Sequence, residues 1–228
     1  MDDDIAKVMK YFALISVAAL VVFVFVVVRE AMPAWKGEQE IAGRPWREGL
    51  FIDNCGSCHG QRGEGRAAGR APAIGTDAFL ALASDDMLRT TIKQGRPGTD
   101  MNPLGRDSGG VLSDRLIDEI IAYLRSQQQE PRVELPEEPV EGVPERGRQL
   151  YAANCAGCHG LVGQGRVGPA LNNAVFQASA SDQFIKETIA RGRPGTPMSA
   201  WGQGYGGVKV LSPQEIGDIV AYIRTWKK

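Results

Sequence analysis

Two five-residue stretches, Cys55-Gly56-Ser57-Cys58-His59 and Cys155-Ala156-Gly157-Cys158-His159, stand 100 residues apart in the 228-residue chain and contain all of its cysteines and both of its histidines. Two cysteines separated by two residues, with a histidine directly after them, have the spacing that attaches a c-type haem. The thiols become thioethers on the haem vinyl groups and the imidazole ligates the iron. Other chemistry is open to four cysteines. A disulfide framework would pair them in one of three ways. A zinc site of two Cys-x-x-Cys pairs would not need a histidine after each pair. A thioredoxin-like redox pair needs a βαβ setting that these flanks lack. The haem reading accounts for both cysteine pairs and both histidines together. It also leaves no histidine for a second axial position, a Ser/His/Asp triad or a separate metal site.

The sixth ligand decides between electron transfer and chemistry on a small molecule. Of six methionines, Met1, Met9 and Met32 belong to the N-terminal end. Met87 aligns with Phe184 in mid-helix and reads as core. Met101 and Met198 follow the same Gly-Arg-Pro-Gly-Thr run, 42 and 39 residues after His59 and His159, and read as the second axial ligands. A neutral thioether beside an imidazole favours ferrous iron and leaves no open position, which suits one-electron transfer. An iron-bound imidazole also needs an acceptor for its other ring nitrogen. Pro72 and Pro169, 13 and 10 residues after the histidines, are placed to fix a loop carbonyl there, or else simply break the loop.

These residues sit in an internal repeat. The run from Ser84 to Met101 matches that from Ser181 to Met198 at an offset of 97, so the second copy is three residues shorter in the loop after its pentapeptide. Leu112-Ser113 and Ile121 to Arg125 match Leu211-Ser212 and Val220 to Arg224 at an offset of 99. Each copy predicts a helix leading into the pentapeptide and a loop rich in glycine and arginine (Gly60 to Arg70 in the first). A helix from Ser84 or Ser181 to Gly95 or Gly192 follows, then the methionine loop. A last helix starts at Ser113-Asp114 or Ser212-Pro213. In the first copy its apolar face is Leu116, Ile117, Ile120, Ile121 and Leu124. No stretch alternates as a strand does. The expected fold class is all-α, with an N-terminal transmembrane helix before two tandem haem domains.

Tyr11 to Val28 is an 18-residue run without a charge. As a helix it would span about 27 Å, close to the hydrocarbon thickness of a bilayer. It is longer than a signal-peptide core and lacks a clear cleavage site, so an uncleaved anchor is expected. The expected plan is a cytoplasmic N-terminus at 1–10, the anchor at 11–28, a tether at 29–45, haem domains at 46–126 and 147–228, and a linker at 127–146. That linker holds four prolines and six glutamates against two arginines, a composition that builds no core. Overall 43% hydrophobic and 23% charged residues exclude a fibrous or wholly disordered chain. The formal net charge of -1 hides an asymmetry: residues 44–126 hold 11 basic and 11 acidic side chains, residues 147–228 hold 9 and 4.

Both halves resemble class I c-type cytochromes: a helix into Cys-x-x-Cys-His, a loop proline, a methionine loop and a last helix with an aromatic residue. The resemblance covers roughly residues 46–126 and 145–228. It implies that the first and last helices of each half cross, pairing Phe51 with Tyr123 and Tyr151 with Tyr222. Arg47 departs from the pattern, since Gly147 holds the equivalent close-packing position. Anchor plus two haem domains is similar to the membrane-bound dihaem cytochromes c of respiratory and photosynthetic chains. This implies two haem c groups and an electron-transfer protein that is not itself an enzyme. It also implies location on the periplasmic side of a bacterial cytoplasmic membrane. The partner would be a quinol:cytochrome c reductase or haem-copper oxidase, with a soluble electron carrier also possible and no nucleic acid expected. The basic second domain is the one expected to dock an acidic partner. Two rivals stand beside this: a dihaem peroxidase with an iron able to open, and a structural subunit whose haems serve assembly.

Overall fold

The computed structural model describes residues 9, 11, 14–25, 40–41, 44–65, 71–204 and 209–227. Residues 1–46 and 47–228 form separate compact units. In the first, α1 is helical over residues 14–25. Two-residue strands β1 (Glu40–Ile41) and β2 (Arg44–Pro45) pair antiparallel, Glu40 opposite Pro45. Strands this short carry no alternation to read in the sequence. Among the described residues no helix is long and apolar enough to cross a membrane. The expected N-terminal segment, span and tether lie partly outside those residues.

The second unit holds both repeats and is helical. The first repeat begins with α2 (Trp46–Phe51), a π turn (Ile52–Gly56) and α3 (Ser57–His59). It continues with α4 (Asp77–Leu80), α5 (Asp85–Gln94), a 3-10 turn (Arg106–Ser108) and α6 (Asp114–Ser126). The second repeat comprises α7 (Pro144–Asn154), α8 (Ala156–His159), α9 (Ala174–Ser179), α10 (Asp182–Arg191) and α11 (Pro213–Arg224). Four serines start α5, α6, α10 and α11 by accepting an orphan N–H of the first turn. Ser84 accepts from Met87 at 3.1 Å, Ser113 from Leu116 at 3.4 Å, Ser181 from Phe184 at 3.0 Å and Ser212 from Glu215 at 3.2 Å. Glu215 answers by accepting from the Ser212 N–H at 2.8 Å, completing a capping box.

In each repeat the first and last helices cross through aromatic rings. Phe51 and Tyr123 lie 5.0 Å apart by centroid, and Tyr151 and Tyr222 5.5 Å apart. Trp226 stands against both tyrosines of the second pair. On α6, Ile117, Ile120, Ile121 and Leu124 are buried while Leu116 is half-exposed. Each such burial contributes about 2 kcal/mol. An exposed ion pair contributes about 0–1 kcal/mol, so the buried apolar stripe does more than any such pair to hold α6 in its repeat, where it packs on α5.

The departure at position 47 has a structural consequence. On α7, a Cβ added to Gly147 would lie 1.9 Å from the Asp218 carbonyl oxygen, so α11 packs directly on the glycine backbone. In the first repeat Arg47 instead reaches Glu119 at 2.5 Å. Arg146 makes the related bond in the second repeat, to Asp218, which is wholly buried. Burial alone would raise the Asp218 pKa, but donors from Val143, Arg146 and Gln214 outweigh it and hold the carboxyl below its ordinary range.

The repeats meet along a seam where α5 packs on α9 and Phe79 of α4 stands edge-on to Phe184 of α10 at 6.1 Å. The glutamate-rich segment between the repeats is irregular over residues 128–143. It is tied down by Val133 N–H to Ala81 O (2.8 Å), Val140 N–H to Asp182 (3.2 Å) and Gln183 to Glu138 O (3.1 Å).

A methyl group at position 147 forces α7 off α11, so Gly147→Ala is expected to cost about 2 kcal/mol. Arg47→Ala, which removes only a part-exposed ion pair, is expected to cost less than about 1 kcal/mol. Urea unfolding of the two variants checks this; equal losses would show that the crossing does not depend on Gly147.

Candidate functional site

Each pentapeptide closes a helix and then reverses the chain. In the first repeat α2 widens into the π turn at Ile52–Gly56 before α3 ends at His59. In the second, α7 stops at Asn154 and α8 restarts at Ala156. Such local widening is common where a helix carries a functional group. Gly60 and Gly160 follow with φ of 84° and 83°, a region closed to most side chains. The next turn is stitched by Gly65 N–H to His59 O (2.7 Å) and Gly165 N–H to His159 O (2.8 Å). The chain returns beside the turn through Ile74 N–H to Gly63 O and Leu171 N–H to Gly163 O, both 2.7 Å.

This return carries the prolines to the histidines. His59 Nδ1 lies 2.9 Å from the Pro72 carbonyl oxygen, and His159 Nδ1 lies 2.9 Å from that of Pro169. A carbonyl only accepts, so Nδ1 carries the proton and Nε2 keeps the lone pair. Burial lowers both histidine pKa values below the ordinary range, with the proline carbonyls acting in the opposite sense. Each imidazole is thus neutral at physiological pH and offers one nitrogen in a fixed direction.

No disulfide joins the four cysteines, of which Cys55 is buried, Cys155 half-buried and Cys58 and Cys158 exposed. The disulfide alternative therefore has no counterpart here. Burial, and secondarily the neighbouring Cys58 or Cys158, pushes Cys55 and Cys155 up to about 12. Neither is a thiolate-type nucleophile at neutral pH. Among the described residues no group of three or more His, Cys, Asp or Glu side chains is arranged to hold a metal ion.

Met101 and Met198 end two turns of the same construction. The Arg96 N–H donates to Met101 O at 2.7 Å and the Arg193 N–H to Met198 O at 2.8 Å. Thr99 and Thr196 hydroxyls each bond the arginine carbonyl at 2.7 Å and accept from the methionine N–H at 3.2 Å. Both methionines are half-buried, whereas Met87 is buried in α5 among core residues.

Sequence reasoning passed over the two arginines of these turns. Arg96 donates to Ala170 O across the seam at 2.7 Å, with its guanidinium 5.1 Å from the Phe176 ring centre. Arg193 donates to Ala73 O and lies 4.6 Å from the Phe79 ring centre. The signal was present, since both stand in the duplicated Gly-Arg-Pro-Gly-Thr run. Arg193 Nε is a buried donor without a partner among the described residues. A cationic donor in that position fits the carboxylates that a haem carries. Paired thiols on one turn, a neutral imidazole with its lone pair free and a thioether turn complete a donor set that fits haem c.

Comparison with known proteins agrees. A family model described as "Cytochrome c" matches residues 144–227, and one described as "Cytochrome C oxidase, cbb3-type, subunit III" matches residues 47–124. The chain is 31% identical over 181 residues to the cbb3-type cytochrome c oxidase subunit FixP of Azorhizobium caulinodans, covering 77% of this chain and 57% of that protein. It is 29% identical to the subunit CcoP of Azospirillum sp., covering 66% and 53%. The chain thus spans little more than half the length of these relatives. It is also 30% identical to a cytochrome c-553-like protein of Synechocystis, covering 38% of this chain and 71% of that one. With one family match on each repeat, this chain belongs to the cytochrome c family and, as a dihaem member, binds two haem c groups covalently.

Proposed function

We propose that the protein passes single electrons through two closed, six-coordinate haems and does so as the membrane-anchored subunit of a terminal oxidase. The observation that carries this reading is the duplicated hold on the imidazoles, each Nδ1–H on a proline carbonyl at 2.9 Å. Cys55 and Cys58 hold the first haem and Cys155 and Cys158 the second. His59 with Met101, and His159 with Met198, would ligate the irons, with Pro72 and Pro169 orienting the imidazoles. The haem supplies one-electron chemistry when bound. A rigid imidazole and a thioether held in its turn would together occupy the iron and confine the group to outer-sphere electron transfer.

The haem domains span residues 46–126 and 147–228 in this reading, joined by the segment 127–146. The anchor is the run 11–28. Supporting it, the large apolar side chains around every face of α1 stand half or more exposed, from Leu14 at 65% to Phe25 at 66%. A helix apolar all round needs an apolar surrounding. The haem domains then lie on the periplasmic side. The relatives named as cbb3-type oxidase subunits make a haem-copper oxidase the favoured host complex over a quinol:cytochrome c reductase. A soluble carrier would meet the second domain. Leu161, Val162 and Val167 beside its pentapeptide are 73%, 54% and 60% exposed, where the first repeat has Gln61 and Arg62 beside its own. Its surplus of basic side chains would steer an acidic carrier there.

Met101→Leu and Met198→Leu should each remove half of the far-red methionine–iron band of the oxidised protein and let one reduced haem bind carbon monoxide. The wild type should bind none. Carbon monoxide binding by the wild type would favour an enzyme with an opening iron. Purification of the full chain in mild detergent should bring down the haem-copper oxidase subunits; recovery of the chain alone would remove the oxidase assignment. Reduction by an acidic soluble cytochrome should slow severalfold between about 10 and 150 mM salt, and a salt-independent rate would refute steering.

A further inference from the structure

The seam is built reciprocally from the two methionine turns. Arg96 begins the first turn, its backbone bonded to Met101, while its Nη2 crosses to the Ala170 carbonyl at 2.7 Å. Ala170 directly follows Pro169, whose carbonyl holds His159. Arg193 begins the second turn, its backbone bonded to Met198, and crosses the other way to the Ala73 carbonyl. Ala73 directly follows Pro72, whose carbonyl holds His59. Each guanidinium lies over an aromatic ring of the repeat it reaches, Phe176 for Arg96 and Phe79 for Arg193. Asn173 at the start of α9 adds a bond to the Pro97 carbonyl at 2.8 Å, next to Arg96. Neither arginine pairs with a carboxylate among the described residues.

We propose that Arg96 and Arg193 are positioning residues that couple the two haem sites, each linking the methionine turn of its own repeat to the histidine loop of the other. The proposal rests on the His/Met ligation argued above. The carbonyl that accepts from Nδ1–H governs how much electron density the imidazole gives its metal. The peptide bearing that carbonyl is followed at once by the carbonyl that the guanidinium holds. A shift of the Met101 turn therefore reaches His159 through Arg96, Ala170 and Pro169, and a shift of the Met198 turn reaches His59 through Arg193, Ala73 and Pro72. Such coupling is reciprocal by thermodynamic necessity. The planar fork is required, because one group must bond a carbonyl while standing over a ring, which an ammonium does not do as well. Burial pushes both guanidiniums down to about 10, with Arg96 adding its charge against Arg193, yet both stay charged at neutral pH.

The test uses the full-length, haem-loaded protein in detergent with its methionine methyl groups labelled with carbon-13. In the reduced state the two ligand methyls should appear far outside the ordinary methionine range, assigned by their loss in Met101→Leu and Met198→Leu. Following each signal through a redox titration gives the midpoint of each haem. Arg96→Lys keeps the charge and loses the fork. It should change the reduction equilibrium of the second haem about threefold, or about 30 mV at 59 mV per tenfold for one electron, and shift the first haem less. Arg193→Lys should do the reverse. If each variant moves only the haem of its own repeat, or neither haem moves, the coupling is overturned. Absence of both shifted methyl signals from the wild type would overturn the His/Met ligation itself, and the coupling with it.

Discussion

An imidazole that must present one nitrogen in a fixed direction needs its other nitrogen held by a group that does not move. Here that group is a backbone carbonyl, and its position dictates the rest of each repeat. The pentapeptide helix must end at a glycine able to reverse the chain, and the chain must come back within 2.9 Å of Nδ1. The two loops that achieve this differ in length, 13 residues from His59 to Pro72 against 10 from His159 to Pro169. The shorter one is pulled in by Gly168 N–H on Cys158 O at 2.9 Å, and a Cβ at Gly168 would lie 2.7 Å from the His159 ring. Loop length is free where the end points are fixed, as the slow growth of closure entropy with length allows.

The parts of this fold that depend on neighbours in the chain were legible in the sequence. Ser84, Ser113, Ser181 and Ser212 announce helices because a hydroxyl reaches an N–H three residues on, and Gly95 and Gly192 end helices with φ of 64° and 65°. The four-residue α4 and six-residue α9 are too short to show a periodicity. Arg125 and Arg224 look like ordinary basic residues near helix ends. Each is in fact a clamp, donating to the carbonyls of Ala83 and Ala180 and to the side chains of Asp85 and Asp182, 40 to 44 residues away. The site divides in the same way. Cysteine, histidine, proline and methionine positions follow from spacing and duplication. The roles of Arg96 and Arg193 depend on a seam between repeats that no local pattern encodes.

That seam bears on how the intervening segment is understood. Its prolines and glutamates describe how it behaves without partners, which is extended and solvated. In the folded chain, Ala81 accepts from Val133 and Asp182 from Val140, so it is bonded to both repeats. Phe79 against Phe184 buries apolar surface at the same junction. Aromatic contact and charge-assisted bonds to carbonyls together make the repeats one unit, where composition alone describes an extended linker.

Duplication has nevertheless not produced two equal halves. The first repeat closes its helix crossing with an arginine at position 47 on a part-exposed Glu119. The second uses a glycine there and moves the arginine one position back, to 146, so that it meets a carboxylate with no solvent exposure. A buried and fully bonded Asp218 is far harder to disturb than a surface pair, because losing a partner strands its charge. The second crossing also gains Trp226 against Tyr151 and Tyr222. The half with the firmer helix crossing is also the half with the basic surplus and the exposed leucine and valines beside its pentapeptide. Apolar side chains left in solvent do nothing to stabilise their own domain, so in this half the buried Asp218 and the Trp226 contacts contribute more of its firmness.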